Sequence, residues 1–147
     1  MEFREARLAD LSLPAGVRAA AEARALLLRL GIQFPVTQGD LLIGRIKLWE
    51  CVDESKVVGH CSGDVSTGEV LSLSVHPSYE GRGVGRMLLS LVVGRLRAEG
   101  VQRIWLVAPA ASDRRAFGFY RAMGWRPTGE QREGDSDVLE FPPEAEL

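Results

Sequence analysis

Apolar and polar residues alternate with a period of two in several short stretches and recur every three to four residues in others, so both strands and helices are expected. Phe3-Arg4-Glu5-Ala6-Arg7 reads as a short strand. Ala9-Asp10-Leu11-Ser12 then offers capping residues before a long helix over residues 17–30, with Ala20, Ala23, Leu27 and Leu30 on one face and Gly31 at its end. Residues 33–44 contain Pro35, Gly39 and Gly44 without a sustained period and read as a loop or a broken second helix. Alternation over 45–52, a polar turn at Asp53-Glu54-Ser55-Lys56 and a return over 57–62 predict a hairpin. A third strand of the same antiparallel run is expected over 69–75, stopped by Pro77.

Beyond a glycine-rich turn, Val84, Leu88, Leu91, Val92 and Leu96 fall at helical spacing and Gly100 closes that helix. A buried strand follows over 104–108. Ala116, Phe119, Tyr120 and Met123 make the next amphipathic helix, ended by Gly124, and residues 125–129 and 138–141 predict a last hairpin around a polar loop at 130–137. The order β, α, β-meander, βαβαββ is that of a mixed α/β protein. No internal repeat or low-complexity tract interrupts it.

Composition narrows the class without naming a function. A chain of 147 residues, 46% hydrophobic and 26% charged, suits one globular domain spanning 1–147. A formal net charge of -2 argues against a general nucleic-acid binder. No apolar run reaches the roughly 18 to 20 residues that span a bilayer, and the acidic start is unlike a signal peptide, so a cytoplasmic protein with no membrane partner is expected. The hairpin register sets Cys61 opposite Leu48 and away from Cys51, which predicts two reduced core cysteines.

The chemistry gathers at Leu71-Ser72-Leu73-Ser74-Val75-His76-Pro77-Ser78-Tyr79-Glu80-Gly81-Arg82-Gly83-Val84-Gly85-Arg86, where a strand, a glycine-rich turn and a helix start follow one another. The first turn of a helix carries unpaired N–H groups and a partial positive charge, which suits a pyrophosphate, and glycine lets the backbone come close to it. Spacing excludes two familiar phosphate motifs. A P-loop needs Gly-Lys-Ser/Thr, whereas Gly85 is followed by Arg86 and Met87. A dinucleotide fingerprint from Gly81 or Gly83 needs glycine at 86 or 88 and meets arginine or leucine.

Glu80-Gly81-Arg82-Gly83-Val84-Gly85 resembles the coenzyme A signature of the GNAT acetyltransferase superfamily, Gln/Arg-x-x-Gly-x-Gly/Ala. Downstream, residues 113–125, from Asp113 through Ala116, Phe119 and Tyr120 to Gly124-Trp125, resemble that family's Asn-x-x-Ala-x-x-Phe-Tyr-x-x-x-Gly-Phe element. The resemblance is specific over 71–125; the first seventy residues fit only by their order of elements. It implies an α+β fold, with helices flanking a mixed, mostly antiparallel twisted sheet splayed at the acyl-CoA site. It also implies acetyl-CoA as cosubstrate and no metal.

Carried over residue by residue, the resemblance implies that backbone groups of Leu73 and Val75 pair with the pantetheine arm, on a strand splayed from the one ending at Ala108. The pyrophosphate would lie on the N–H groups of Gly81, Arg82, Gly83, Val84, Gly85 and Arg86, with Asp113 and Ala116 in the second element. Tyr120 takes the place of the general acid that protonates the departing thiolate. Two departures stand out. Glu80 brings a carboxylate to a position usually held by Gln or Arg and is expected to point outward, compensated by Arg82 and Arg86. Asp113 keeps a capping oxygen but lacks the amide donor of Asn.

An amine acceptor is protonated at neutral pH and needs a base. Glu69 is the leading candidate, ahead of His60 and Asp64; His76 beside Pro77 reads as positional, and Ala108 leaves another family position without a base. The resemblance implies that the last hairpin borders the acceptor cleft, where the acidic carboxyl end would favour a cationic small-molecule or peptide amine acceptor, such as a polyamine, an aminoglycoside or lysine. Family members are often homodimers. The sequence thus points to an N-acetyltransferase acting by direct attack, with a non-catalytic acyl-CoA sensor or scaffold as the alternative.

Overall fold

The period-two stretches form a four-stranded antiparallel meander, β1 (Glu2–Ala6), β2 (Ile46–Asp53), β3 (Lys56–Asp64) and β4 (Val70–Val75), neighbours in chain order. The computed structural model describes residues 1–6, 45–108, 114–132 and 136–146. The helix expected over 17–30, the stretch 33–44 and Asp113 lie outside them.

The β2–β3 hairpin turns on Glu54 and Ser55, both left-handed at φ 50° and 65°, the pairing whose twist matches the flanking strands. The register differs from the expected one. Cys61 lies opposite Trp49 instead of Leu48, because a bulge beside Cys51 and Val52 admits Val58 as an extra residue and shifts every later pair by one. Both cysteines are nonetheless free and buried.

Helix α1 (Val84–Ala98) lies directly on β3, burying Val84, Leu88, Leu89, Val92, Val93 and Leu96. Each such side chain contributes about 1.5–3 kcal/mol when fully removed from water. The approach is close because β3 presents glycine there: a Cβ on Gly59 would stand 3.0 Å from Leu88, and one on Gly63 2.8 Å from Val92. The helix closes on a Schellman motif, with Val101 N–H donating to Leu96 O at 3.1 Å and Gly100 N–H to Arg97 O at 3.0 Å.

Strand β5 (Ile104–Ala108), helix α2 (Arg114–Ala122), β6 (Arg126–Arg132) and β7 (Ser136–Phe141) follow, and the second sheet has the order β5-β7-β6. The last hairpin is longer than its apolar residues suggest, since Gln131 pairs with Asp137 and Arg132 with Ser136. β6 is exposed along its whole length, so polarity did not mark where it ended. One buried cluster joins both sheets, running from Cys61 and Leu88 to Leu106, Trp125 and Phe141.

Parallel neighbours β4 and β5 meet at a single bridge, Glu69 with Trp105. Trp105 N–H donates to Gly68 O at 3.1 Å, and its indole N–H to Thr67 O at 2.9 Å. Past that bridge the strands part, giving a splayed, mostly antiparallel sheet flanked by helices. Among the described residues no helix is long and apolar enough to cross a membrane.

Candidate active site

After β4, the His76 imidazole accepts from Ser78 N–H at 3.1 Å and starts a 3₁₀ turn over Pro77–Tyr79. The Tyr79 hydroxyl donates to Asp53 at 2.7 Å, tying this turn to the β2–β3 hairpin. The Arg82 guanidinium stacks 5.0 Å from the centre of the Tyr79 ring. Gly83, the residue before α1, is left-handed at φ 81°, and among the described residues no side chain caps the helix start.

This turn fits an anionic ligand. Hydrogen bonding within α1 begins with Met87 N–H on Gly83 O at 3.0 Å, which leaves the N–H groups of Val84, Gly85 and Arg86 without a helical partner. No acidic residue occupies the first turn. Diphosphate oxygens would satisfy these donors and complement the helix dipole.

The edge of β4 supplies a second set of backbone groups. His76 N–H donates to Val58 O at 2.7 Å, and in that ladder the hydrogen-bonded pairs are His60 with Ser74 and Ser62 with Ser72. The N–H and C=O groups of Leu73 and Val75 therefore point to the other edge, into the gap opening towards β5. An extended amide-bearing chain can pair with them there.

Two cavities meet this edge. One, of about 450 Å³, is lined by Leu73 and Val75, by the turn from Gly81 to Arg86 apart from Arg82, and by Ala116 and Tyr120. The other, of about 660 Å³, opens between the parted strands and is lined by His60, Ser72, Ser74, Leu106, Val107 and Tyr120, among others. Tyr120 belongs to both. Its ring stands edge-on to Phe119 and Trp125, with centroids 5.3 and 6.1 Å away, so packing fixes its direction. Trp125 itself is fully buried against Phe141.

The acidic candidates separate clearly. Glu69 lines neither cavity; it sits at the bridge with Trp105, where burial pushes its carboxyl up and the Arg132 charge pulls it back. Asp64 is committed elsewhere, accepting from Arg45 at 2.6 Å and from both the N–H and hydroxyl of Ser66 at 2.8 and 2.6 Å. Burial alone would raise its carboxyl, but these partners hold it below its ordinary range. Among the described residues no group of three or more His, Cys, Asp or Glu could hold a metal ion.

Glu80 lines the smaller cavity and pairs with Arg115 of α2 at 2.9 Å, while Arg82 is engaged with Tyr79. Its compensating cation is thus on another element, at an unconstrained position of the second motif that sequence reading passed over. Glu50 was missed as well, although it falls in phase with buried Ile46 and Leu48, which is a legible signal for a buried carboxylate.

Residues 27–125 match the family model described as "Acetyltransferase (GNAT) family". The chain belongs to the GNAT acetyltransferase family. This GNAT chain is 35% identical over 66 residues to an uncharacterized ycf52-like N-acetyltransferase of Prochlorococcus marinus, covering 44% of the chain and 34% of that protein. It is 34% identical over 56 residues to the [ribosomal protein bS18]-alanine N-acetyltransferase of Salmonella typhimurium, covering 38% of the chain and 37% of that protein. The matches thus span roughly a third of each of these curated relatives. In fold, it is similar to the aminoglycoside 6'-acetyltransferase type Ii, with a TM-score of 0.67 at 14% identity over 100% of both chains. It is also similar to the PaiA N-acetyltransferase of Thermoplasma acidophilum in complex with coenzyme A, with a TM-score of 0.65 at 17% identity over 97% of this chain and 99% of that one.

Proposed function

We propose that this GNAT chain acts as one acetyltransferase domain that moves an acetyl group from acetyl-CoA to a primary amine by direct attack. The observation that carries this reading is the position of Tyr120, shared by the cavity at the start of α1 and the cavity between β4 and β5. Bound acetyl-CoA would supply an acetyl thioester. The turn from Gly81 to Arg86 holds its diphosphate, and the free edge of Leu73 and Val75 pairs with its pantetheine amides. Ala116 belongs to the same binding surface, a role the family resemblance also assigns to Asp113.

Tyr120 is then the general acid that donates its phenolic proton to the departing sulfur, a transfer of the kind that contributes about 100- to 10,000-fold. For the proton leaving the ammonium, Glu69 is the carboxylate that sequence points to, and burial makes it more basic. The acceptor is a small molecule or peptide bearing a primary amine. A non-catalytic acyl-CoA sensor is the competing reading.

Thiol release from acetyl-CoA over a panel of amines separates the two. Turnover of any amine supports the transferase, while tight acetyl-CoA binding without release over the whole panel supports the sensor. Tyr120→Phe should lower kcat at least about tenfold and leave acetyl-CoA affinity unchanged; equal loss of both would mean that the ring only shapes the cavity.

A further inference from the structure

One rung of the four-stranded sheet carries polar side chains across its full width: Arg4 of β1, Glu50 of β2, His60 of β3 and Ser74 of β4 stand directly opposite one another. Opposed residues share a face. It is the face away from α1, because the adjacent Gly59 is the residue that α1 packs against. The middle of the rung is buried, with Glu50 3% and His60 7% exposed, while Arg4 and Ser74 at its two ends are exposed. Arg4 donates to Glu50 at 2.7 Å. At its far end, His60 and Ser74 reach the larger cavity together with Tyr120. His60 Nδ1 is buried with no hydrogen-bond partner among the described residues, which ordinarily costs about 1–3 kcal/mol. With Nδ1 sealed off, Nε2 is the ring nitrogen left to meet a ligand in the cavity.

Resting on the acetyltransferase reading, we propose that His60 is the general base that takes the proton of the acceptor ammonium, with Glu50 and Arg4 as positioning residues. Glu69 lines neither of the two cavities that Tyr120 borders, whereas His60 lines the larger. Burial holds the imidazole below its ordinary value and Glu50 pulls it partly back, so it is neutral at pH 7 with a lone pair to offer. The charged and titratable groups about it among the described residues are Glu50, Arg4 behind Glu50, and His76 and Tyr120 on the cavity wall.

The protons balance. The ammonium gives one proton to His60, which returns it to solvent. The nitrogen bonds to the acetyl carbon, the carbon–sulfur bond breaks, and sulfur takes the proton of Tyr120. The second proton leaving nitrogen restores Tyr120. The net products are an amide, a free thiol and one proton.

The test uses the full chain with saturating acetyl-CoA and three amine probes: a peptide with N-terminal alanine, spermidine and kanamycin. His60→Gln should lower kcat/KM at pH 7 by about 100-fold. The loss should close as pH approaches that at which the amine deprotonates unaided, about 8 for the peptide α-amine and about 10 for spermidine, while acetyl-CoA affinity stays unchanged. Glu50→Gln should move the acid limb of the profile to lower pH with a smaller loss. A His60→Gln enzyme with the wild-type pH profile, or an acid limb that vanishes in Glu69→Gln instead, overturns the proposal. Turnover of none of the probes by the wild type would count against the acetyltransferase reading itself. The His60 assignment is then decided by proton NMR, its ring resonance told from that of His76 by the His76→Gln variant. A titration below 6.5 that shifts on adding spermidine supports the proposal, and an imidazole still neutral at about pH 4.5 overturns it.

Discussion

The Glu80 carboxylate on the glycine turn and the Arg115 guanidinium on α2 meet at 2.9 Å, and both line the cavity at the start of α1. An exposed pair of this kind is worth only about 0.2–1 kcal/mol, so a diphosphate can compete for Arg115. Glu80→Gln should therefore tighten coenzyme A binding by about two- to fivefold, the equivalent of up to about 1 kcal/mol. The gain should shrink as salt rises, and adding Arg115→Ala should cancel it. Calorimetry at low and high salt checks this; an affinity indifferent to Glu80 at both would mean that its charge does not reach the ligand.

What sequence made legible here was whatever repeats locally. The helix from Val84 to Ala98, its Gly100 stop and the strand from Ile104 to Ala108 follow from periodicity and capping. The glycine turn and Tyr120 follow from two spaced motifs. Long-range relationships were not readable. The bulge at Val58 moved Cys61 from Leu48 to Trp49, and nothing in the alternation announces an extra residue. Glu80 and Arg115 are far apart in sequence, and their pairing depends on how α2 sits over the turn. Edge strand β6 is polar throughout, so its length is set by pairing with β7 and not by burial.

Gly68 lies at the only link between β4 and β5 among the described residues, left-handed at φ 78°, where a Cβ would stand 1.9 Å from the Arg103 carbonyl oxygen. Backbone cannot yield as a side-chain tip can. Gly68→Ala should cost about 2–4 kcal/mol from strain and displacement together. For a domain of this size that lowers Tm by about 5–15 °C. Because Trp105 hangs from the Gly68 carbonyl, the splay should change too, weakening acetyl-CoA binding in the surviving fold. A Tm within about 1 °C of wild type would show that the strands tolerate separation at their base.

Gly63 poses the milder version of the same problem. Its added Cβ would meet Val92 at 2.8 Å and Leu96 at 3.0 Å, both side-chain atoms on α1. Overpacking of this kind costs about 1–3 kcal/mol. Because the clash is with Val92, the Gly63→Ala/Val92→Ala pair should be more stable than the sum of the two single changes predicts, by about 0.5 kcal/mol or more. Urea unfolding of the four proteins measures this coupling, and strict additivity would mean that α1 lifts off β3 as a unit.

Burial of His60 has a consequence for stability that is separable from catalysis. Its imidazole is held below 6.5 in the fold, so the unfolded chain binds a proton more readily than the folded one. Stability is then full above about pH 6.5 and falls as pH drops towards the depressed folded value. Asp64, also held down, behaves the same way at lower pH, its contribution being lost below the ordinary 3.8. Glu69 is raised and opposes them, costing stability as pH rises past 4.5. Between about pH 7.5 and 5 Asp64 is ionised in both states and Glu69, common to both proteins, opposes the histidine, so comparison with His60→Gln isolates the histidine's contribution. Melting temperature should drop over that range in the wild type and drop less in His60→Gln, which cannot take up the proton. Equal slopes for the two proteins would mean that His60 is as easily protonated in the fold as out of it, and would remove the basis for a neutral imidazole at the cavity wall.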